Sequence, residues 1–98
     1  MKFENEALST SFVVPDRPSG RQRLQYRSAI IGTGKLGAYE RYWEGVKVLV
    51  QEWESAHVEN PMSFDMDSSS DQRAALVITW ACNAVAGHMA EAEEIDPN

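Results

Sequence analysis

Tyr39, Trp43, Val46, Val50 and Trp53 recur at spacings of 4, 3, 4 and 3. That is the repeat of one face of an α-helix. No other pattern in the chain constrains the fold as much. It predicts a helix over residues 36–55, with Tyr42 and Leu49 widening the stripe and Glu40, Glu44 and Lys47 facing away. Gly45 costs such a helix about 1 kcal/mol of propensity. Its presence marks a place where another helix comes close.

Two more helices are expected on either side. Ser19 and Gln22 make an S-x-x-Q capping box at the start of the first. Its stripe is Leu24, Ser28 and Ile31, with Tyr26 and Ile30 beside it, and Gly32-Thr33-Gly34 ends it. Ser69 and Gln72 offer a second box, and Asp71 suits the first turn of a third helix. Ala75, Ile78, Cys82, Val85 and Met89 form that helix's stripe. Ala74, Ala81, Ala84, Ala86 and Gly87 keep it slim. Ahead of the helices, Phe3 and the run Ser11-Phe12-Val13-Val14, stopped by Pro15, suggest two short strands turning at residues 5–7. Such a hairpin is marginal alone and must pack on something. Residues 57–70 read as a loop from which Phe64 and Met66 tuck back.

The expected fold class is mainly α: a single small domain of about three helices with a short N-terminal β segment or hairpin. Residues 1–18 form the extended segment, 19–90 the helical core and 91–98 an acidic frayed tail. The core sets the second helix against Leu24 and Ile31 on one side and Ile78, Cys82 and Val85 on the other. A chain of 98 residues supports one domain of this kind. Cys82 is the only cysteine, so no intramolecular disulfide forms, and with two histidines a closed zinc site is not expected. Neither the N-terminus nor the apolar run at residues 74–86 has the length and apolarity of a signal or a membrane span. A soluble protein in a reducing compartment is the expectation.

Charge is unevenly distributed. Residues 1–47 carry eight Lys/Arg against five acids, a balance of +3. Residues 48–98 carry Arg73 alone against ten acids, a balance of −9. The acidic half argues against general binding of nucleic acid, whose phosphates it would repel. Arg21, Arg23 and Arg27 form the one basic cluster, suited to an acidic partner or to the acidic half of another copy. Head-to-tail association of copies would then weaken with salt. Trp43 and Trp53 belong first to the core, with one tryptophan left as a possible interface anchor. Arg21, Arg23, Arg27, Trp43, Trp53, Asp65 and Asp67 are the candidate partner-binding residues.

Motifs for small-molecule chemistry are weaker. Gly32-Thr33-Gly34-Lys35-Leu36-Gly37 matches G-x-G-x-x-G, the phosphate cradle of dinucleotide folds. The helix available after it is short for a crossover, too little chain follows for the remaining strands, and the aromatic stripe runs through the proposed second strand. A helix–helix turn with a glycine at positive φ fits better. His57 and His88 stand apart from each other and from Cys82, which reads as a small buried residue. Asp65 and Asp67 resemble part of a calcium loop but lack its glycine and terminal glutamate. No cofactor or metal is expected.

The order of segments carries more. A β segment leads through Val14-Pro15-Asp16-Arg17-Pro18 to a helix beginning Ser19-Gly20-Arg21-Gln22. An aromatic helix follows, from Glu40-Arg41-Tyr42-Trp43-Glu44 to Glu52-Trp53-Glu54. After an acidic loop comes Ile78-Thr79-Trp80-Ala81-Cys82-Asn83-Ala84-Val85-Ala86-Gly87-His88-Met89, and the chain closes on Asp96-Pro97-Asn98. Over most of residues 10–98 this resembles the small tail assembly chaperones of long-tailed bacteriophages. The resemblance implies a non-enzymatic protein of the host bacterial cytoplasm. It would coat the tape measure protein, help recruit tail tube subunits and leave before the virion is complete. Some such proteins are made in two lengths by ribosomal frameshifting. The family has no fixed functional residues to carry over. The alternatives are a small acidic phage-encoded inhibitor of a host nuclease or other host factor, a structural virion component, and a dinucleotide-binding fragment using Gly32 to Gly37.

Overall fold

The computed structural model describes residues 1–32 and 37–95, the side chains of 92–95 excepted. The expected hairpin opens the chain. Strand β1, Lys2–Asn5, and strand β2, Thr10–Val13, are joined by one 3-10 turn, Glu6–Leu8. Asn5 Oδ1 accepts from Leu8 N at 3.2 Å, and Ser9 turns the chain back in the left-handed conformation at φ 48°. Beyond the strands, Met1 and Val14 exchange backbone hydrogen bonds, and the N-terminal ammonium also pairs with Asp16.

A third strand, β3, Glu52–Ser55, completes an antiparallel sheet in the order β1-β2-β3. The spacing at residues 39–53 does not predict it. The register aligns Phe3, Phe12 and Trp53 in one cross-strand row, with ring centroids 5.2 and 5.5 Å apart. In the next row but one, Thr10 Oγ1 lies 2.8 Å from Ser55 Oγ. The alternate rows, Glu4–Ser11–Glu54 and Lys2–Val13–Glu52, make the polar outer face. Side chains alternate across a strand, so one row of aromatics inward requires the acids outward.

Helix α1, Gly20–Ile31, opens with the expected capping box: Ser19 Oγ accepts from Gln22 N at 3.1 Å and Gln22 Oε1 accepts from Ser19 N at 2.8 Å. Its packed face is not the expected one. Tyr26 is buried and Ile30 half-buried, while Leu24 is 65% and Ile31 69% exposed. The reason lies on helix α2, Ala38–Leu49, where Gly45 leaves a notch for the Tyr26 ring. A Cβ at Gly45 would stand 2.7 Å from Tyr26 Cε1 and 3.3 Å from Ile30 Cγ2. The close helix contact expected at Gly45 is there, and it selects the tyrosine face.

Helix α2 stops at Leu49, six residues short of the expected end. Val50 is extended (φ −65°, ψ 130°), and Gln51 N donates to Val13 O at 2.8 Å as the chain joins the sheet. Trp43, Gly45, Val46 and Leu49 are buried, whereas Tyr39 is half exposed and Trp53 belongs to β3. The stripe through Trp53 was therefore no argument about the glycine motif. The motif's setting is: Gly32, at φ 54°, follows a helix where a dinucleotide fold needs a strand. Thr33, Gly34, Lys35 and Leu36 lie outside the described residues.

Helix α3, Gln72–Ile95, buries Ala74, Val77, Ile78, Ala81, Cys82, Val85 and Met89, while Ala75 is exposed. Asp71, rather than Ser69, serves its first turn, accepting from Arg73 N at 2.8 Å. The helix continues through residues 91–95, the first part of the expected acidic tail. Residues 96–98 are outside the described set. α2 lies between α1 and α3, touching both. The core forms where α2 and α3 meet the inner face of the sheet: Trp43 stands edge-on to Trp53 at 5.8 Å and Trp80 edge-on to Phe12 at 5.3 Å. Among the described residues no helix is long and apolar enough to cross a membrane.

Candidate interaction surfaces

Three surfaces stand out once the core is assigned. The first is the outer face of α1. A helix advances about 100° per residue, so Leu24, Ser28 and Ile31 fall along one line, roughly opposite Tyr26 and Ile30. Arg21 and Arg27 flank that line on either side and are both exposed. Arg21, Leu24, Gln25, Ser28 and Ala29, with Val48 of α2, border one wide shallow depression. Helix α1 thus carries two apolar lines, of which the fold buries one. Arg23 is half-buried one turn before Arg27, so those two share a side of the helix and Arg21 stands on the other. The expected three-arginine cluster is divided by the helix itself.

The second surface is built by residues 57–71 against the start of α3. Trp53 Nε1 donates to Val58 O at 2.6 Å, and Val58 and Pro61 are buried, which anchors the first part of this loop. Ser55 Oγ accepts from both His57 N and Val58 N at 3.1 Å. Phe64 packs on the core as expected, but Met66 is 39% exposed. Phe64, Met66, Ala74, Ala75 and Ile78 line a small apolar cleft with Ser69 and Asp71 at its edge. Met62 and Leu76 are exposed on the same two segments. Asp65 and Asp67 are exposed, and Asp65 Oδ1 accepts from Asp67 N at 3.0 Å in a local turn. Residues 57–71 include four acids and no Lys or Arg.

The third surface is the outer face of the sheet, with Glu4, Glu52 and Glu54 in neighbouring rows and Lys2 paired to Glu4 at 3.0 Å. Glu4 raises the Lys2 ammonium above its ordinary value through that hydrogen bond.

The two candidate tryptophans go elsewhere. Trp43 is 1% exposed, so it offers nothing to a partner. Trp53 is half-buried, stacked on Phe12 and tied to Val58. Both are core residues. Sequence reasoning instead missed Leu24 and Ile31 as surface residues. The signal was present, since Tyr26 and Ile30 form a competing line on the opposite face.

The reactive side chains are structurally engaged. Burial pushes the Cys82 thiol up to about 12, far from thiolate chemistry at neutral pH. His88 Nε2 lies 2.9 Å from Pro15 O, with its ring edge-on to Phe3. His57 Nδ1 lies 2.9 Å from Asp71 Oδ2. That hydrogen bond, with a second from Arg73 N, holds the Asp71 carboxyl below the usual carboxylate range. Among the described residues no group of three His, Cys, Asp or Glu is placed to hold a metal ion. No family model, curated protein or solved structure matches the chain.

Proposed function

We propose that this chain is a non-enzymatic interaction protein, a tail assembly chaperone that binds the tape measure protein and helps recruit tail tube subunits during phage tail assembly in the host cytoplasm. The observation that carries the reading is the second apolar line of α1, Leu24 and Ile31, left outside a domain whose own core is complete. A chaperone for an aggregation-prone chain needs exposed apolar surface held on a stable support. The apolar cleft of Phe64, Met66 and Ile78 adds a second such surface, and methionine adapts readily to different partners. The engaged histidines and the buried thiol leave those groups to structural work. The tail-assembly part of the reading rests on the resemblance in the order of segments. Coexpression with the tape measure and tail tube proteins of the same genome tests the proposal. The tape measure protein is expected to stay soluble and to copurify with the chain; if neither protein is retained, the proposal fails.

The acidic outer face of the sheet favours a second reading, inhibition of a host nuclease through mimicry of nucleic acid by Glu4, Glu52 and Glu54. Capture of a host nuclease from lysate, lost on replacing these glutamates by glutamine, would select it.

A further inference from the structure

Strand β1 is an edge of the sheet, and no described strand pairs with its outer side. The hydrogen bonds exchanged by Met1 and Val14 set the pattern along the β1–β2 ladder. Hydrogen-bonded pairs alternate with open ones in an antiparallel ladder. Phe3 and Asn5 therefore point their N–H and C=O toward β2, and Lys2 and Glu4 point theirs out of the sheet. An edge of this kind is a template for another strand. We propose that β1 pairs antiparallel with β1 of a second copy, about a two-fold axis through Phe3, so that the two sheets join into one.

The backbone leaves few registers. Outward groups of one edge must meet outward groups of the other, so Lys2 faces Lys2, Glu4 faces Glu4, or Lys2 faces Glu4. The first two set like charges directly opposite, which destabilises a cross-strand pair. In the third, centred on Phe3, Lys2 of each copy faces Glu4 of the other, and each such pair exchanges two hydrogen bonds. Lys2 already pairs with Glu4 of its own strand at 3.0 Å, and that contact is kept. Charges on the joined outer face then alternate in sign, each beside two of the opposite kind. A lone edge lysine guards against pairing; a lysine followed two residues later by a glutamate selects one register instead. The inner face matches as well. Phe3 is half-buried at the end of the Phe3–Phe12–Trp53 row. It would meet Phe3 of the second copy in a non-hydrogen-bonded pair, the closer kind, about 4.5 Å between Cα atoms. The two aromatic rows would run on as one. On β3 the outward groups belong to Trp53 and Ser55, and the registers that overlap most of that strand with itself set Glu54 against Glu54 or Glu52. Joining β1 to β3 of another copy would match outer-face residues to inner-face ones and leave the two apolar faces on opposite sides. Pairing therefore closes at a dimer. Neither α1 nor the Phe64 cleft takes part, so loss of the dimer would leave tape measure binding untouched, and failure of that binding would leave the dimer standing.

The test is sedimentation equilibrium of the full chain at concentrations up to about 1 mM. Two short edges make a small interface, so a dissociation constant on the order of 100 μM is expected. The mass is expected to rise from 11.0 kDa toward twice that value and to stop there. Lys2→Glu and Glu4→Lys each change an exposed side chain. Either alone is expected to raise the dissociation constant about tenfold, because like charges then face each other. An equimolar mixture of the two variants is expected to recover the dimer, and so is the double variant Lys2→Glu with Glu4→Lys, since opposite charges again meet. Circular dichroism confirms that each variant is folded. Hydrogen exchange locates the contact. The Glu4 amide is expected to slow as protein concentration rises, while the Phe3 amide, which faces β2 in either state, is unchanged. A chain that stays monomeric at about 1 mM overturns the proposal. So does a mass that climbs past the dimer, an assembly indifferent to both single variants, a mixture that fails to recover, or a Glu4 amide that exchanges at the same rate in monomer and assembly.

Discussion

At Gly45 the absence of a side chain decides how two helices meet. The Tyr26 ring occupies the place where a Cβ would be, with Cε1 at 2.7 Å and Cδ1 at 2.8 Å from it, and the ring is itself 5% exposed. A methyl group there must displace a buried ring. Overpacking of this kind costs about 1–3 kcal/mol, while alanine returns only about 1 kcal/mol of helix propensity. Gly45→Ala is therefore expected to lower stability in spite of the better helix former, and Gly45→Val to lower it further. Chemical denaturation measures both, and a stabilised Gly45→Ala would show that α1 can move aside. At Gly32 the constraint comes from backbone instead, with φ at 54° and a Cβ position 2.6 Å from Arg41 Cδ. Arg41 Nε in turn donates to Ile30 O at 3.0 Å, closing the end of α1. Gly32→Ala is expected to cost about 1–3 kcal/mol, the range for a side chain forced into such a conformation. These two glycines were legible in part. The sequence marked the close approach at Gly45 and the turn at Gly32, but not which residue of the first helix would fill the notch.

That choice belongs to the element. Helix α1 has two apolar lines of similar strength, and its own residues do not rank them. Packing on Gly45 ranks them, because the Tyr26 ring and the Ile30 methyl together fill the notch that the missing side chain leaves. Tyr26→Ala is accordingly expected to cost about 3 kcal/mol or more, in line with other large-to-alanine changes in cores. Leu24→Ser should stay within about 0.5 kcal/mol, as surface changes do. Thermal melts of the two variants compare the faces directly, and the reverse order would restore the expected leucine stripe. The end of α2 was hidden for a related reason. Residues 39–53 satisfy the helical period, yet Glu52-Trp53-Glu54-Ser55 also alternates with period two. The vacant edge of β2 decided for the strand, since a β3 there pairs backbone groups and completes the Phe3–Phe12–Trp53 row. At the start of α3 the deciding element is electrostatic. Hydrogen bonds from His57 and Arg73 N lower the Asp71 pKa below 3.8. A carboxylate held low in the folded state adds stability that is present above its unfolded value and lost as pH falls through the folded one. Asp71→Asn keeps the shape and removes the charge. It is expected to lower the Tm at pH 7, modestly because the site is exposed to solvent, and to match the wild type once the pH is well below 3.8. A difference independent of pH would assign the effect to shape alone.

On the scale of the whole molecule, burial is graded across three helices. Among the described residues α3 buries seven, α2 buries four, and α1 fully buries Tyr26 alone, with Ile30 half-buried beside it. α1 leans on α2 and stands off the aromatic row that joins the sheet to α2 and α3. Local opening free energy follows the buried contacts that opening must break. The amides of α1 are therefore expected to exchange hydrogen through a lower-energy opening than those in the middle of α2 and α3, whose exchange should approach global unfolding. Native-state hydrogen exchange, followed amide by amide in increasing denaturant, reads this directly. Equal protection in all three helices would mean that the domain opens as one unit. The gradient also bears on what α1 can do. A helix held mainly by Tyr26 and the half-buried Ile30 leaves its outer line of Leu24 and Ile31 open to an incoming surface, and engagement of that line by a partner adds burial to the least buried helix. Protection in α1 is then expected to rise selectively when the tape measure protein of the proposed function is bound, while protection in α2 and α3 stays the same. A rise spread evenly over the three helices would instead report binding coupled to the stability of the entire domain.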